Sequence, residues 1–324
     1  MLDVSVVYAT HRSTPRFDWF ADGFAAQLAE SGGDAEVIVV DGLHCTERCV
    51  QLERIVDDRF SFRHVAAKPT PYNGPHRLTA RDYHAAASAR NSGIAHARGG
   101  YVTFVDDCCV LMPGWWDAVR RAASDERVVA GAYQKHYEMV VRNGLLVGSR
   151  CEPAGVDVRW ERGDESRDVA IGGGELFGCS FGAPRDLLLE VNGFDELCDP
   201  IGGEDYHLGV RLEWTGASIV YSRRMLTIES NEQHGVNPSL VRLDKATDES
   251  TYMETLHDFG VQQRTTDGAY DSSHLVIDIL YGTRWLRSAG NYYLLAELDG
   301  DGLADLADRL PHVHWFDQQP LAEM

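Results

Sequence analysis

Lysine is nearly missing from this chain: Lys68, Lys135 and Lys245 are its only lysines, and the other basic residues are all arginine. Acids outnumber bases 50 to 30, a formal charge of −20. That field repels phosphate backbones and anionic membranes, so a nucleic-acid acceptor or a membrane-surface role is disfavoured. No apolar run approaches the roughly 18 residues needed to span a bilayer. The opening "MLDVSVVYATHR" carries an acid at position 3 and no basic flank, so it reads as a first strand rather than a secretory signal, and a cytoplasmic location is expected. Seven cysteines are scattered without a CxxC pair, which argues against a disulfide framework. His44, Cys45 and Cys49 lack a second half-site for structural zinc. Two phosphate cradles are missing as well. There is no GxxxxGK[ST], and the turn "ATHRSTPR" after the first apolar run has no glycine, which disfavours a GxGxxG dinucleotide site.

What is present alternates in type. "VSVVYAT" (4–10) and "AEVIVVDG" (35–42) are short β-branched runs. Between them Phe17, Phe20, Phe24 and Leu28 recur at helical spacing, and a glycine pair ends the segment. "CVQLERIVDDRF" suits a second helix, and the alanine-rich "YHAAASARNSGIAHARGG" a third, leading into the strand "YVTFVDD". Strand and helix thus alternate through residue 107, the pattern of a doubly wound, mostly parallel α/β sheet with helices on both faces. The proline- and glycine-rich 66–82 reads as a long ordered loop near a site. The expected organisation is a nucleotide-binding half (1–130), an acceptor or catalytic half (131–238) and a mainly helical extension (239–324).

In an open α/β sheet the ligand lies beyond the carboxyl ends of the strands. Asp41 ends the second strand, and Asp106 and Asp107 end a later one. Three acids at one edge suit a divalent cation, which can neutralise a phosphate where no glycine cradle exists. A second acidic stretch, "GGEDYHL", opens a helix whose apolar face is Leu208, Val210 and Leu212. Its two acids, Glu204 and Asp205, stand at the helix start, where a carboxylate can cap the helix or serve as a base.

Together "VSVVYAT", "EVIVVDG", "SARNSGIAHARGGYVTFVDD" and "VNGFDE…GGEDYHLGVRLEWTG" resemble the GT-A family 2 glycosyltransferases over residues 3–235, and the last block resembles a galactosyltransferase-type carboxyl-terminal module. The resemblance implies a Rossmann-like GT-A fold and a metal-dependent, inverting transfer from a nucleotide-sugar, a UDP- or GDP-sugar with UDP favoured, to a hydroxyl acceptor, assisted by Mn²⁺ or Mg²⁺. It also implies that Thr10 and Arg12 lie beside the nucleotide and that Asp41 contacts the base. Arg90 and Asn91 would shape the pocket, Asp106 would face the ribose or sugar, and Asp107 would bind the metal. Asp205 resembles the family's base, with Glu204 beside it, and His234 lies where relatives place a further metal ligand. The chain departs from the family pattern at Cys108, where the resemblance leads one to expect a third acid, so the resemblance implies Asp107 alone as the protein ligand on that strand.

His76 and Arg77 are candidates for the diphosphate, and Trp115 and Trp116 for an acceptor-stacking platform or a hydrophobic anchor. "DGDGLADLAD" near the end has Leu303 and Ala304 where a calcium loop needs ligands, so it reads as a capped helix start. The alternatives to a glycosyltransferase are a sugar nucleotidyltransferase, whose glycine- and arginine-rich first loop is missing, and a nucleotide-sugar-binding protein without turnover, for which two intact acidic sites are unexpected.

Overall fold

The computed structural model describes residues 3–67, 73, 82, 84–191, 193–194, 199, 203–232 and 234–236, and the strands at 285–288 and 291–294. The first half runs β1 (Val4–Thr10), α1 (Phe17–Ser31), β2 (Ala35–Asp41), α2 (Thr46–Val56), β3 (Ser61–Ala66), α3 (Ala86–His96) and β4 (Tyr101–Asp106). The four strands are parallel in the order β3-β2-β1-β4. The chain winds outward from β1 to β3 and then crosses back to the other side of β1. That reversal opens a crevice at the carboxyl ends of β1 and β4, where Thr10 pairs with Asp41 in register and Ala9 with Asp106.

Both faces of the sheet are covered, so β1 and β2 are apolar almost throughout instead of alternating. Val7, Ile38, Val40 and Phe104 face one core, closed by Ile94 of α3 and by residues of two later helices. Val6, Tyr8, Val37 and Val39 face the other, closed by Phe17, Phe20 and Phe24 of α1 and Leu52 of α2. β3 was not legible as a strand. Its sequence, Ser-Phe-Arg-His-Val-Ala, carries charge within the run because it lies at the sheet edge.

The second half adds β5 (Cys109–Leu111), α4 (Trp115–Ser124), β6 (Val128–Arg142), β7 (Leu145–Val156), β8 (Val169–Ala170), β9 (Ser180–Pro184), α5 (Arg185–Glu190), α6 (Glu204–Trp214) and β10 (Ile219–Ser230). β9 lies antiparallel between β4 and β6, and β10 runs parallel to β6 and antiparallel to β5. The β6–β7 hairpin turns at Asn143-Gly144, both at positive φ (50° and 72°), the pair that suits the right-handed twist of a hairpin. Gly144 also rests on α1: a Cβ there would lie 2.1 Å from the Gly23 amide nitrogen.

Trp115 and Trp116 are fully buried in the α1 and α4 core, with the Trp116 indole donating to the Gly32 carbonyl at 2.9 Å. They anchor α4, and no ring face is left for an acceptor. In the region expected to be helical, the described residues form an antiparallel pair, β11 (Trp285–Ser288) with β12 (Asn291–Leu294). The remaining residues after 240, including 300–309, lie outside the described residues, as do His76 and Arg77. No described helix is long and apolar enough to cross a membrane.

Candidate active site

Thr10 is the last residue of β1, and its hydroxyl donates to Asp107 Oδ2 at 2.6 Å. The Thr10 hydroxyl oxygen in turn accepts the Arg12 amide at 3.1 Å, which turns the chain back over the strand end. Arg12 Nε then reaches Asp107 Oδ1 at 2.9 Å, so both carboxylate oxygens are held. Cys108 follows in the left-handed region at φ 57°, an uncommon conformation for a residue with a Cβ. The Tyr8 hydroxyl and the Pro15 carbonyl receive its amide and fix this corner. Burial pushes the Asp107 pKa up and adjacent Asp106 adds to the rise, against the opposing pull of Arg12 and Thr10.

Arg90 joins the two acidic segments. Its Nη2 donates to Asp106 Oδ1 at 2.8 Å and its Nη1 to Glu204 Oε1 at 2.6 Å, with Arg90 and Glu204 both buried. Burial alone would lower the Arg90 pKa, but Asp106 and Glu204 raise it, so the guanidinium stays charged. Gly178 makes room for it: a Cβ there would stand 2.8 Å from Arg90 Cζ. The Gly178 amide donates at 2.9 Å to Asp205 Oδ2. Asp205 has its pKa raised, first by burial and then by neighbouring Glu204.

These side chains share a cleft of about 360 Å³. Thr10, Arg12, Arg90, Asp106, Asp107 and Glu204 all line it, so six of the ten site residues expected from the sequence converge. Asp205 is the next residue after Glu204, with its carboxylate tied to Gly178. A larger cavity of about 560 Å³ lies beside Asp3, Asp34 and Gly100 at the amino ends of the strands, the wrong edge of an open α/β sheet for its ligand.

Three expected residues stand elsewhere. Asp41 is buried beneath the strand ends, and its carboxylate is shared among the Leu43 amide (2.8 Å), His64 (3.0 Å) and Arg48. Burial opposes ionisation there, but these hydrogen bonds outweigh it and lower the pKa. Its carboxylate is therefore engaged within the protein and is not among the side chains that line the cleft. The Asn91 amide is likewise used on the backbone, donating to the Phe194 carbonyl at 2.9 Å and accepting its amide at 2.8 Å. It braces the segment before α6 and is not among the residues that line the cleft. His234 lies 2.7 Å from Ser230 Oγ, packs edge-on to Trp19 and does not line the cleft that Asp107 lines.

Among the lining residues that the sequence did not single out, two stand as neighbours on adjacent strands. Lys135 on β6 and Glu229 on β10 are register partners, with Lys135 Nζ 3.9 Å from Glu229 Oε2. Glu229 Oε1 is buried without a hydrogen-bond partner. Burial, reinforced by Asp106 and Asp107, pushes the Glu229 pKa up to about 8. The signal lay in the alternation Met225, Thr227, Glu229, which carries a glutamate into a buried strand position.

The donor set fits a hard divalent cation better than a soft metal. It consists of carboxylate oxygens, whereas the Cys108 thiol is buried against the Thr14 carbonyl and His234 stands apart. As the side chains stand, no three His, Cys, Asp or Glu groups among the described residues converge on one point.

No curated protein matches the chain in sequence. Among solved structures it is similar to S. aureus TarS, with 15% identity and a TM-score of 0.47 over 71% of this chain and 37% of that one. For S. aureus TarS 1–349 the values are 14% and 0.46, over 68% and 60%. The chain therefore spans less than two thirds of either. The strand–helix alternation of the first half, the Asp106–Asp107 strand end and the crevice beside it agree with the GT-A resemblance. The model of the glycosyl transferase family 2 matches residues 5–184, more than half of the sequence, and the chain belongs to this family of glycosyltransferases.

Proposed function

We propose that the chain is a metal-dependent, inverting glycosyltransferase that takes a nucleoside diphosphate sugar, with UDP-sugars the first to test, and transfers the sugar to a hydroxyl acceptor. The observation that carries this reading is the bridge through Arg90, which joins Asp106 to Glu204 so that Asp106, Asp107 and Glu204 line one cleft, with Asp205 the next residue along the helix start. Asp107, held by Thr10 and Arg12, is the carboxylate that would ligate Mn²⁺ or Mg²⁺, and Asp106 faces the ribose or sugar. When bound, the cation supplies positive charge to the diphosphate as it leaves. Arg12 and Lys135 add positive charge to the lining of the cleft.

Glu204 and Asp205 divide their work by environment. Glu204 is paired with Arg90, which fixes its carboxylate in place and suits it to holding the acceptor or orienting the site. Asp205 has its pKa raised and so binds a proton more readily, the property a general base needs. An attack assisted by Asp205 from the face opposite the diphosphate inverts the anomeric centre.

The test is release of nucleoside diphosphate from a panel of UDP- and GDP-sugars, with Mn²⁺ or Mg²⁺ and a mixture of hydroxyl acceptors. The reading requires cation-dependent release with one donor and its loss in Asp205→Asn. Release that persists in Asp205→Asn would remove Asp205 as the base.

A further inference from the structure

Glu229 is a costly residue for this fold to keep. It sits on β10 between two paired neighbours, Cys109 of β5 and Lys135 of β6, in the body of the sheet. The residue is 6% exposed, and its Oε1 has no hydrogen-bond partner. Lys135 does not remove the problem. Its ammonium lies 3.9 Å from Oε2, and its side chain is 46% exposed, so it meets one oxygen from the solvent side. A buried carboxylate with a bare oxygen beside Asp106 and Asp107 costs free energy that a glutamine or threonine would avoid. The bare oxygen belongs to a side chain lining the same cleft as those two aspartates.

The other sources of a ligand opposite Asp107 are occupied. The position after the aspartate pair is Cys108, whose thiol contacts the Thr14 carbonyl. His234 is engaged by Ser230 and Trp19. We propose, resting on the cation-dependent reading above, that Glu229 is the second protein carboxylate of the cation site. It would face Asp107 across the cleft and stand in for the acid that Cys108 does not provide. A cation there would satisfy Oε1 and relieve the repulsion among the three carboxylates.

The test is binding of Mn²⁺ alone to the full chain, followed by loss of the free-ion signal in electron paramagnetic resonance. Parent, Glu229→Gln, Glu229→Asp and Asp107→Asn are compared. Removing a charged ligand should weaken Mn²⁺ binding about tenfold or more in Glu229→Gln, with Glu229→Asp retaining part of the affinity. The metal-free thermal midpoint of Glu229→Gln should be no lower than the parent's, because the change deletes a repelled charge and keeps the shape. Parent-like Mn²⁺ affinity in Glu229→Gln, with loss in Asp107→Asn, would overturn the role of Glu229 and leave the cation site standing. No Mn²⁺ binding by the parent would overturn the cation reading, and Glu229 with it.

Discussion

Arg90 Nη1 and Glu204 Oε1 lie 2.6 Å apart although 114 positions separate the residues in sequence. This contact fastens the start of α6 to the helix that precedes the aspartate strand, so the two acidic segments share one joint. Replacing Arg90 by methionine keeps most of the volume and strands two carboxylates, one of them buried. Loss of one partner from a buried pair costs about 3–5 kcal/mol. Urea unfolding should show a loss near the low end of that range, because Asp106 is 38% exposed and regains water. Arg90→Lys should recover only part of it, since one ammonium cannot reproduce a fork that bridges two acids.

Gly178→Ala tests the same joint from the other side. The added methyl would stand 2.8 Å from Arg90 Cζ, and the Gly178 amide already holds Asp205. Overpacking of this kind costs about 1–3 kcal/mol. Transfer should fall by more than this stability loss alone predicts, through displacement of Asp205, while nucleotide affinity changes little. Equal loss in kcat and in nucleotide affinity would place the damage elsewhere.

The pH dependence of transfer should carry the mark of Asp205. A base whose pKa is raised is protonated, and silent, at a pH where an ordinary aspartate is ionised. The acid limb of kcat/KM is therefore expected above the ordinary aspartate value of 3.8. In Asp205→Glu the limb should move, whereas Asp41→Asn should leave it in place.

Asp41 predicts the opposite dependence, in stability. Its folded pKa lies below the ordinary value because His64, the Leu43 amide and Arg48 outweigh its burial. Its contribution is complete above the unfolded value near 3.8 and is lost as pH falls through the lower, folded one. The difference in unfolding free energy between the parent and Asp41→Asn should thus be greatest near neutrality and shrink below about pH 4. A difference that grows with acidity would contradict the assignment.

Much of this was legible in the sequence. The order from β1 to β4, apart from β3, follows from apolar runs, helical spacing and glycine stops, because those strands are buried on both faces and the runs are unbroken. The convergence of Thr10, Arg12, Asp106 and Asp107 was legible too, since strand-end positions in such a sheet share one edge. What was hidden depends on partners distant in sequence. Nothing in "RDVAIGGGELFGCS" signals that Gly178 yields space to Arg90, and nothing in "VVDG" shows that Arg48 and His64 will claim Asp41. Glu229 escaped notice because a single acid in a strand reads as a solvent-facing residue until its neighbours on both sides are known.

The most direct test of the account is the thermal midpoint of the full chain with UDP, GDP, CMP and TDP, each with and without Mn²⁺. A ligand at about 100 times its dissociation constant stabilises by about 2.7 kcal/mol, enough to move the midpoint of a chain this size by several degrees. The account predicts a shift for one nucleoside diphosphate that requires Mn²⁺ and is lost in Asp107→Asn. A shift of the same size without the cation, or one that survives in Asp107→Asn, would contradict it.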